Sequence, residues 1–434
     1  MVSHAAVDRY LIRKARLGGE IVIPASKSQT LRAILFGALG HGTSVVHRYL
    51  SSTDTHAMVA ACRTLGAAID LYPERIEIRG RGEGGAHHQM RIDARSSGIV
   101  LRFCTAVGAL TAGAVVVTGD ADLQRQRPMR ALLEGLSQLG VEATSLRGDG
   151  YAPVVVRGPM MAGKATISGE DSQPVSALLV AAAFSKGATE LVVRHPGEKP
   201  WVAMTLGWFS RLGIAYEHHE FTHYRLSGGA QYGGFAYTVP GDLSSAAFPV
   251  AAALVTGSEL MVRNVDMEDD QGDKEVIGLF QKMGAEIEID RQARTLRVWK
   301  ARGLSGISVD INDCIDGIAV LAVVACFADG RTAIRNARNA RHKECDRIRA
   351  LATELRKMGA DISETEDGLD IGPASLKGST LFSYGDHRMV MALSVAALGA
   401  EGETSVAPVG CVARSFPTFL RDFNALGAHI ACGT

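Results

Sequence analysis

A short sequence pattern recurs along the chain and restricts the possible folds more than any single motif does. It is an amphipathic helical stretch that ends in Leu-Gly or Met-Gly and is followed by two short stretches of alternating apolar and polar residues. We expect each glycine to end its helix with a positive φ, which glycine adopts without strain. These glycines are 68 to 75 residues apart: Gly66, Gly140, Gly213, Gly284, Gly359 and Gly427.

A second sequence pattern lies between the copies of the first. It is a helical stretch rich in Ala, Val and Leu, without a polar face, followed by an apolar strand. A helix that is apolar on all sides is a buried helix. The repeat is therefore a buried helix, a strand, a surface helix and two strands, and it occurs six times with a period of roughly 72 residues. Because six such repeats are too many for one core, we expect two domains of three repeats each.

The polar residues of the buried helices all lie at the N-terminal ends. An N-cap explains such residues at any one helix. Six helices in a regular array would instead direct their positive ends to one region, and we hypothesise that these ends meet in a cleft between the domains that binds anions. The residues are Ser28 and Arg32; Ser96, Ser97 and Arg102; Ser172 and Gln173; Asp242, Ser244 and Ser245; Asp313 and Asp316; and Asp386, His387 and Arg388.

Composition excludes several classes of protein. The chain has 46 Lys and Arg and 46 Asp and Glu, so its balanced charge argues against a nucleic-acid or anionic-membrane partner. Its seven cysteines form no CxxC pair and no spacing typical of metal ligands, and their odd number argues against a disulfide framework. We find neither a signal peptide nor an apolar run of about 18 residues. These features predict a cytoplasmic protein without a metal site.

The densest charged stretch runs from Arg341 to Arg347 and precedes a helical pattern. One interpretation is a solvated helix start in which Glu344 and Arg347 pair at a spacing of three residues. The other is a site that binds anions and transfers protons. The stretch alone does not decide between them.

Further cations stand at the starts of other elements. A predicted strand is followed by Lys27, Ser28 and Arg32, which form either a surface turn or a binding site for phosphate or carboxylate. The stretch lacks the glycines of a nucleotide-binding loop. Arg125, Arg127 and Arg130 surround Pro128, for which we expect the first position of a helix.

Other polar or aromatic candidates appear singly or in pairs. Trp201 is either a stacking platform or a core residue. One of Asp313 and Asp316 is expected to cap a helix, although capping does not require both. Arg414 adds a cation beside Ser415.

Seven motifs together resemble the enolpyruvyl transferases, and among them the family of 5-enolpyruvylshikimate-3-phosphate synthases. The resemblance covers the whole chain, and the motifs occur in the family's order and spacing: SKSQTLRA, RPM, SQPVSALL, GDLSSAAF, KECDR, DHRM and SFP. It implies an α/β fold known as an inside-out α/β barrel, with six βαβαββ repeats, three in each of two domains. One domain would contain residues 1–25 and 241–434, the other residues 26–240, with a cleft between them that closes on the substrates.

The resemblance also implies a reaction. The enolpyruvyl group of phosphoenolpyruvate would move to the 5-hydroxyl of shikimate 3-phosphate, with release of phosphate, by addition and elimination. Asp316 would act at the hydroxyl and Glu344 at the methylene carbon, assisted by Lys27. The family requires no metal or organic cofactor, is the target of glyphosate, and suggests a monomer.

The same resemblance assigns binding residues. Shikimate 3-phosphate would be held by Lys27, Ser28, Arg32, Ser172, Gln173, Trp201, Asp316, Asn339 and Lys343. Phosphoenolpyruvate would be held by Lys27, Gly98, Arg127, Gln173, Arg347, His387, Arg388 and Arg414.

The chain departs from the family pattern at several of these positions. Ile99 and Val100 follow Gly98 where Thr and Ala are usual, which puts sensitivity to glyphosate in doubt. Asp171 and Glu198 stand where Ser is usual, and both add an acid near the expected 3-phosphate site. Arg414 replaces the usual Lys.

Three alternatives remain. One is an enolpyruvyl transferase that acts on UDP-N-acetylglucosamine, which usually has a cysteine in a mobile loop; the corresponding stretch LQRQRPM contains none. The second is a transferase for another small alcohol, suggested by Asp171 and Glu198. The third is a non-catalytic binding protein that has kept the fold.

Overall fold

The computed structural model describes residues 9–81, 89–300 and 303–433. The chain divides into two compact units. The terminal unit contains Met1–Pro24 and Pro240–Thr434, and the central unit contains Ala25–Val239.

The strands are short and are numbered in chain order. The terminal unit supplies the first two, and the central unit the next twelve: β1 (Arg9–Arg13), β2 (Glu20–Val22), β3 (Thr43–His47), β4 (Ala68–Leu71), β5 (Arg75–Arg79), β6 (Met90–Asp93), β7 (Ala114–Thr118), β8 (Glu142–Ser145), β9 (Val154–Arg157), β10 (Met161–Ser168), β11 (Lys186–Arg194), β12 (Tyr216–His219), β13 (His223–Leu226) and β14 (Ala236–Thr238). The rest belong to the terminal unit: β15 (Leu260–Arg263), β16 (Ile287–Asp290), β17 (Thr295–Val298), β18 (Ser308–Asp310), β19 (Thr332–Arg335), β20 (Ile362–Glu364), β21 (Leu369–Ile371), β22 (Thr380–Phe382), β23 (Glu403–Ala407) and β24 (Ala431–Gly433).

The helices alternate between buried and surface positions. The described residues form α1 (Lys27–Leu39), α2 (Thr53–Thr64), α3 (Gly98–Gly108), α4 (Leu123–Gln126), α5 (Arg130–Gln138), α6 (Ser172–Phe184), α7 (Lys199–Leu212), α8 (Leu243–Thr256), α9 (Glu275–Lys282), α10 (Ile318–Cys326), α11 (Arg347–Lys357), α12 (His387–Gly399) and α13 (Phe419–Ala425). Short 3-10 turns cover Gly272–Lys274, Asn312–Gly317, Arg338–His342 and Gly410–Arg414.

Each repeat forms one sheet. In the part of the chain that the structure describes there are six four-stranded sheets, three in each unit. In one of them β10 pairs in parallel with β11 across α6, and β13 lies between β11 and β12, antiparallel to both. The predicted α/β fold of βαβαββ repeats is confirmed.

Three sheets are completed by strands from distant parts of the chain. Strand β1 lies between β23 and β24, so the N-terminal segment completes the last repeat. Strand β2 pairs with β15, and β14 returns to pair with β3. The two chain crossings between the units, after Pro24 and after Val239, therefore follow edge strands of otherwise local sheets.

The apolar helices form the cores, as their sequences predict. In the terminal unit α8, α10 and α12 pack against one another, and every residue of α10 is buried. In the central unit α3 packs on α6, and both belong to one continuous core with α1. Hydroxyl groups inside two of these helices donate within the helix itself, Thr105 Oγ1 to the Leu101 carbonyl and Ser394 Oγ to the Val390 carbonyl.

The surface helices end as the glycines predict. Each repeat glycine follows or caps a surface helix and has a positive φ, from 69° at Gly213 to 107° at Gly66.

The expectation that Pro128 takes the first position of a helix is wrong: α5 begins at Arg130, and Pro128 lies between α4 and α5. No helix among the described residues is long and apolar enough to span a membrane.

Replacing Gly213 with Ala should destabilise the central unit through backbone conformation alone. Gly213 has a φ of +69°, and an added Cβ would meet no atom within 4 Å, so the cost is the left-handed conformation itself, about 1 kcal/mol. Urea unfolding followed by tryptophan fluorescence measures it, since Trp201 and Trp208 both lie in this unit.

Gly233→Ala is the matched control. Gly233 is exposed, also has space for a Cβ, and lacks a positive φ. Its unfolding midpoint should equal or exceed that of the wild type. Equal midpoints for the two variants would contradict the conformational explanation.

Candidate active site

A buried arginine is the centre of the polar cluster in the terminal unit. Arg347 is the first residue of α11, and its side chain is fully buried. Its Nε donates to Asp386 Oδ2 at 2.7 Å, its Nη1 to Asp316 Oδ1 at 2.7 Å, and its Nη2 to Glu344 Oε2 at 2.6 Å. One guanidinium thereby fixes three carboxylates that come from different parts of the repeat array.

Asp316 lies between two guanidinium groups. Its other oxygen, Oδ2, is 3.0 Å from Arg388 Nη2. Burial alone would raise the pKa of Asp316, but Arg388, Arg347 and Lys343 outweigh burial and hold that pKa well below its usual range. Asp316 is therefore ionised at neutral pH.

Helix starts of the terminal unit meet at Arg388. The Arg388 backbone amide donates to Asp386 Oδ1, which caps α12. Its Nη2 donates to Ser244 Oγ at 2.7 Å, at the start of α8, and its Nη1 contacts His387 Nε2. Together with Asp316, just before α10, these contacts bring the starts of α8, α10 and α12 into one cluster.

A carboxyl group that the motifs did not indicate lies in this cluster. Asp273 is buried in the 3-10 turn Gly272–Lys274, and its Oδ1 accepts no hydrogen bond from the described residues. Burial, followed by the nearby Asp316 carboxylate, raises the pKa of Asp273 well above its usual range, against the opposing effect of Arg388. The pKa values of these two neighbouring carboxyl groups are therefore shifted in opposite directions, that of Asp273 upward and that of Asp316 downward.

The remaining candidates of the terminal unit lie around this cluster to different extents. Lys343 is buried, and its charge contributes to the low pKa of Asp316. Asn339 is half-buried in the turn Arg338–His342, and Arg414 is half-buried at the end of the turn Gly410–Arg414. Arg414 is near Cys411, whose thiol pKa burial raises to about 12 against the effect of that arginine.

The structure resolves the two interpretations of the charged stretch. Glu344 and Arg347 do pair at the predicted spacing, but a solvated helix start is wrong because Arg347 is fully buried. Asp346 has a structural role: its Oδ1 caps α11 by accepting from the Arg349 amide, and its Oδ2 accepts from Arg341 Nη1 at 2.8 Å. The charged stretch therefore supplies both a helix cap and part of the buried cluster.

The expectation that Asp313 or Asp316 caps a helix is wrong. Asp313 is exposed, and the turn Asn312–Gly317 has no side-chain cap. Only Asp316 of the pair reaches the cluster with Arg347 and Arg388.

In the central unit, the start of α1 carries a second group of cations. Lys27 Nζ is 3.8 Å from Asp54 Oδ2. Arg32 is buried, and it donates to Thr205 Oγ1 at 3.1 Å and to the Trp201 carbonyl at 3.0 Å. These bonds join the start of α1 to the first turns of α7, where Trp201 is half-buried.

The starts of α3 and α6 approach each other at a glycine. A Cβ on Gly98 would lie 3.3 Å from Arg127 Nε, 3.3 Å from Gln173 Oε1 and 3.1 Å from Arg102 Nη1. Arg102 is fully buried and donates from Nη1 to Gln173 Oε1 at 2.8 Å. A side chain at position 98 would therefore be in tight contact with these three groups, and Arg102 orients Gln173. Of the arginines around Pro128, Arg127 reaches this group, whereas Arg125 and Arg130 are exposed.

The two unusual acids are bound to the start of α6. Asp171 caps the helix by accepting from the Gln173 amide at 2.9 Å, and its Oδ2 pairs with Arg102 Nη2 at 2.9 Å. Glu198 Oε2 accepts from the Ser172 amide at 3.3 Å and from its hydroxyl at 2.8 Å. Both carboxylates therefore face the helix start and are not turned away from it.

One group of ligand-type atoms in the terminal unit is close enough to consider for a metal. Glu344, Asp386 and His387 each offer one ligand atom, and these atoms lie within 4.8 Å of one another. Arg347 already binds both carboxylates, and Arg388 contacts the imidazole. Two guanidinium groups among the ligands would repel a divalent cation, so these residues suit anions better.

Comparisons with known proteins agree on one family. The model of the EPSP synthase (3-phosphoshikimate 1-carboxyvinyltransferase) family matches residues 12–423. A 3-phosphoshikimate 1-carboxyvinyltransferase of Chlamydia caviae is 40% identical over 423 residues, which cover 97% of this chain and 94% of that protein. Another, of Methanocella arvoryzae, is 41% identical over 96% of this chain and 99% of that protein. The solved structure of EPSP synthase from Acinetobacter baumannii aligns with a TM-score of 0.82 at 27% identity, covering 98% of this chain and all of that one.

Removing Asp386 should destabilise the terminal unit strongly. Asp386→Ala deprives the buried Arg347 of one carboxylate and α12 of its cap, and loss of one partner of a buried ion pair costs about 3 kcal/mol or more. Chemical unfolding measured by circular dichroism tests this. The control is Asp361→Ala, which breaks the exposed pair with Arg331 and should cost about 0.5 kcal/mol or less. Similar costs for both variants would argue against the proposed importance of burial.

Asp273→Asn should change the pH dependence of stability. Folded Asp273 keeps a proton that the unfolded chain releases above about pH 4, so this residue lowers stability as pH rises through that range. The asparagine variant cannot ionise, and its stability relative to the wild type should increase as pH rises above about 4, by at most about 1.4 kcal/mol per pH unit. Urea unfolding of both proteins across this range measures the difference. A difference that is constant with pH would contradict the raised pKa.

Proposed function

Since the chain belongs to the EPSP synthase family, we propose that it transfers the enolpyruvyl group of phosphoenolpyruvate to the 5-hydroxyl of shikimate 3-phosphate and releases phosphate. This reaction belongs to the shikimate pathway of aromatic amino acid biosynthesis. We further propose that the protein acts as a cytoplasmic monomer.

The observation that carries the proposal is that one buried guanidinium holds two carboxylates. Arg347 binds both Asp316 and Glu344, and both carboxylates keep some exposure to solvent. A reaction by addition and elimination needs one group to accept a hydroxyl proton and another to protonate carbon. Two carboxylates oriented by one rigid group meet that need with fixed geometry.

In the addition step, Asp316 acts on the acceptor. Its carboxylate, kept ionised by Arg388, Arg347 and Lys343, accepts the proton of the 5-hydroxyl as that oxygen bonds to C2 of phosphoenolpyruvate. Glu344, in its protonated form, delivers a proton to the methylene carbon, which becomes a methyl group. The product of this step is a tetrahedral adduct that still carries the phosphate.

The elimination step regenerates the double bond. Glu344 takes a proton back from the methyl group while the bond between C2 and the phosphate oxygen breaks. Phosphate leaves with the proton first taken from the hydroxyl, and Lys27 assists this transfer. The enol ether and inorganic phosphate are the products, and both carboxyl groups return to their starting states.

The two substrates carry several negative charges, and the cations of both clusters suit them. We assign phosphoenolpyruvate to Gly98, Arg127, Gln173, Arg347, His387, Arg388 and Arg414, together with Lys27. We assign shikimate 3-phosphate to Ser28, Arg32, Ser172, Trp201, Asn339 and Lys343, with Lys27, Gln173 and Asp316. The proposal requires residues of both units to act on the same substrates.

The isosteric variants Glu344→Gln and Asp316→Asn should each reduce kcat at least about a thousandfold, because neither amide can exchange the required proton. Phosphate release from phosphoenolpyruvate and shikimate 3-phosphate measures this. Circular dichroism should show wild-type folding, since both amides can still accept a hydrogen bond from Arg347.

Glu366→Gln is the control for removing a carboxyl group from the same unit. Glu366 pairs with Arg338 on the surface, and its substitution should leave the rate within twofold of the wild type. Near-wild-type rates for either active-site variant would refute the assigned roles. Phosphate release by the wild type with UDP-N-acetylglucosamine and none with shikimate 3-phosphate would refute the proposed acceptor.

A further inference from the structure

Glu198 occupies the position at which the start of α6 would receive an anion. The α6 helix has thirteen residues, and its first amide and first side-chain hydroxyl both belong to Ser172. Backbone amides and hydroxyls at a helix N-terminus are typical donors to phosphate. Here both donors of Ser172 are directed to Glu198 Oε2, at 3.3 and 2.8 Å.

The structure around Glu198 holds this carboxylate in place. The residue is only 2% exposed, and its backbone is left-handed, with φ 46° and ψ 41°. A left-handed glutamate is uncommon, and it persists where neighbouring contacts fix it. The preceding Gly197 amide donates to the Gly169 carbonyl at 2.9 Å, which ties the segment before α7 to the segment before α6.

A second carboxylate completes the start of α6. Asp171 accepts from the Gln173 amide, so carboxylates of this chain accept from the first two amides of the helix. Asp171 is balanced by Arg102, which is buried beside it. An incoming phosphate dianion would have to displace Glu198 from Ser172 and would meet two negative charges at close range.

We propose that Glu198 is a specificity-determining residue that competes with the phosphate of the acceptor at Ser172, so that this chain also accepts an alcohol with a free hydroxyl in place of that phosphate. This inference rests on the proposed function, in which Ser172 binds shikimate 3-phosphate. The unphosphorylated acceptor of matching chemistry is shikimate itself. A free hydroxyl can donate to the Glu198 carboxylate and brings no charge to the site.

The reaction with shikimate is balanced in the same way as the proposed one. The 5-hydroxyl oxygen bonds to C2 of phosphoenolpyruvate, the bond from C2 to the phosphate oxygen breaks, and the hydroxyl proton leaves with phosphate. The products are 5-enolpyruvylshikimate and inorganic phosphate. The step needs no reactant beyond the two substrates.

The first test is the ratio of kcat/KM for shikimate 3-phosphate to that for shikimate in the wild type. A site built to bind a polar group usually rejects an analogue without it by about 10⁴-fold or more. Because Glu198 occupies Ser172, the phosphate of shikimate 3-phosphate should gain little binding energy there, whereas the free hydroxyl of shikimate can donate to Glu198. The ratio of the two kcat/KM values should therefore be below about 10². A ratio above about 10⁴ would overturn the proposal.

The second test uses Glu198→Gln and Glu198→Ser, with Glu170→Gln as the matched control. Glu170 is an exposed acid two residues before Ser172, so its substitution removes a nearby charge without touching the Ser172 bonds. Both Glu198 variants should raise the ratio at least about tenfold, while the control stays within about twofold of the wild type. An unchanged ratio in a Glu198 variant with a wild-type circular dichroism spectrum would overturn the proposal.

Equilibrium binding separates failure of this inference from failure of the proposed function. Calorimetry should show at least about tenfold tighter binding of shikimate 3-phosphate to Glu198→Ser than to the wild type, whether or not turnover occurs. A wild type that turns over neither acceptor would refute the proposed function, and the binding result would still decide the competition. Unchanged affinity in the variant would overturn the inference even where the wild type turns over shikimate 3-phosphate.

Discussion

A guanidinium without access to water must be matched by carboxylates, and this requirement organises the polar cluster of the terminal unit. Arg347 is matched by Asp316 and Glu344, which follow β18 and β19 of one repeat, and by Asp386, which follows β22 of the next repeat. Since a buried charge that loses a partner is costly, the ends of α8, α10, α11 and α12 are held in one arrangement. The chemistry proposed for Asp316 and Glu344 depends on that arrangement, because Arg347 fixes the orientation of both.

The repeat architecture could be predicted from the sequence because it depends on local patterns of residues. Glycines such as Gly213 and Gly359 are needed wherever a helix ends with a positive φ, and apolar helices such as α10 have no polar face to expose. The Glu344–Arg347 pair was predictable from spacing alone. Its burial was not, because burial depends on strands and helices that are far away in the chain.

Contacts between distant residues explain what sequence reasoning missed. Nothing in the surroundings of Asp273 in the chain distinguishes it from a surface acid, and its raised pKa arises from burial beside Asp316. Glu198 was recognised as an unusual acid, but its bonds to Ser172 depend on how the segment before α7 meets α6. Pro128 fits the first turn of a helix by composition, yet the chain forms α4 and α5 on either side of it.

The order of the strands also bears on how the chain is synthesised and folded. The central unit is one continuous segment, so all its strands are available before the second part of the terminal unit leaves the ribosome. Strand β1 must wait for β23 and β24, as its Tyr10 pairs with Val406 and Cys432. Strand β1 is therefore made before the whole central unit but is among the last strands to find its partners, and until then its edges remain open to pairing with other chains.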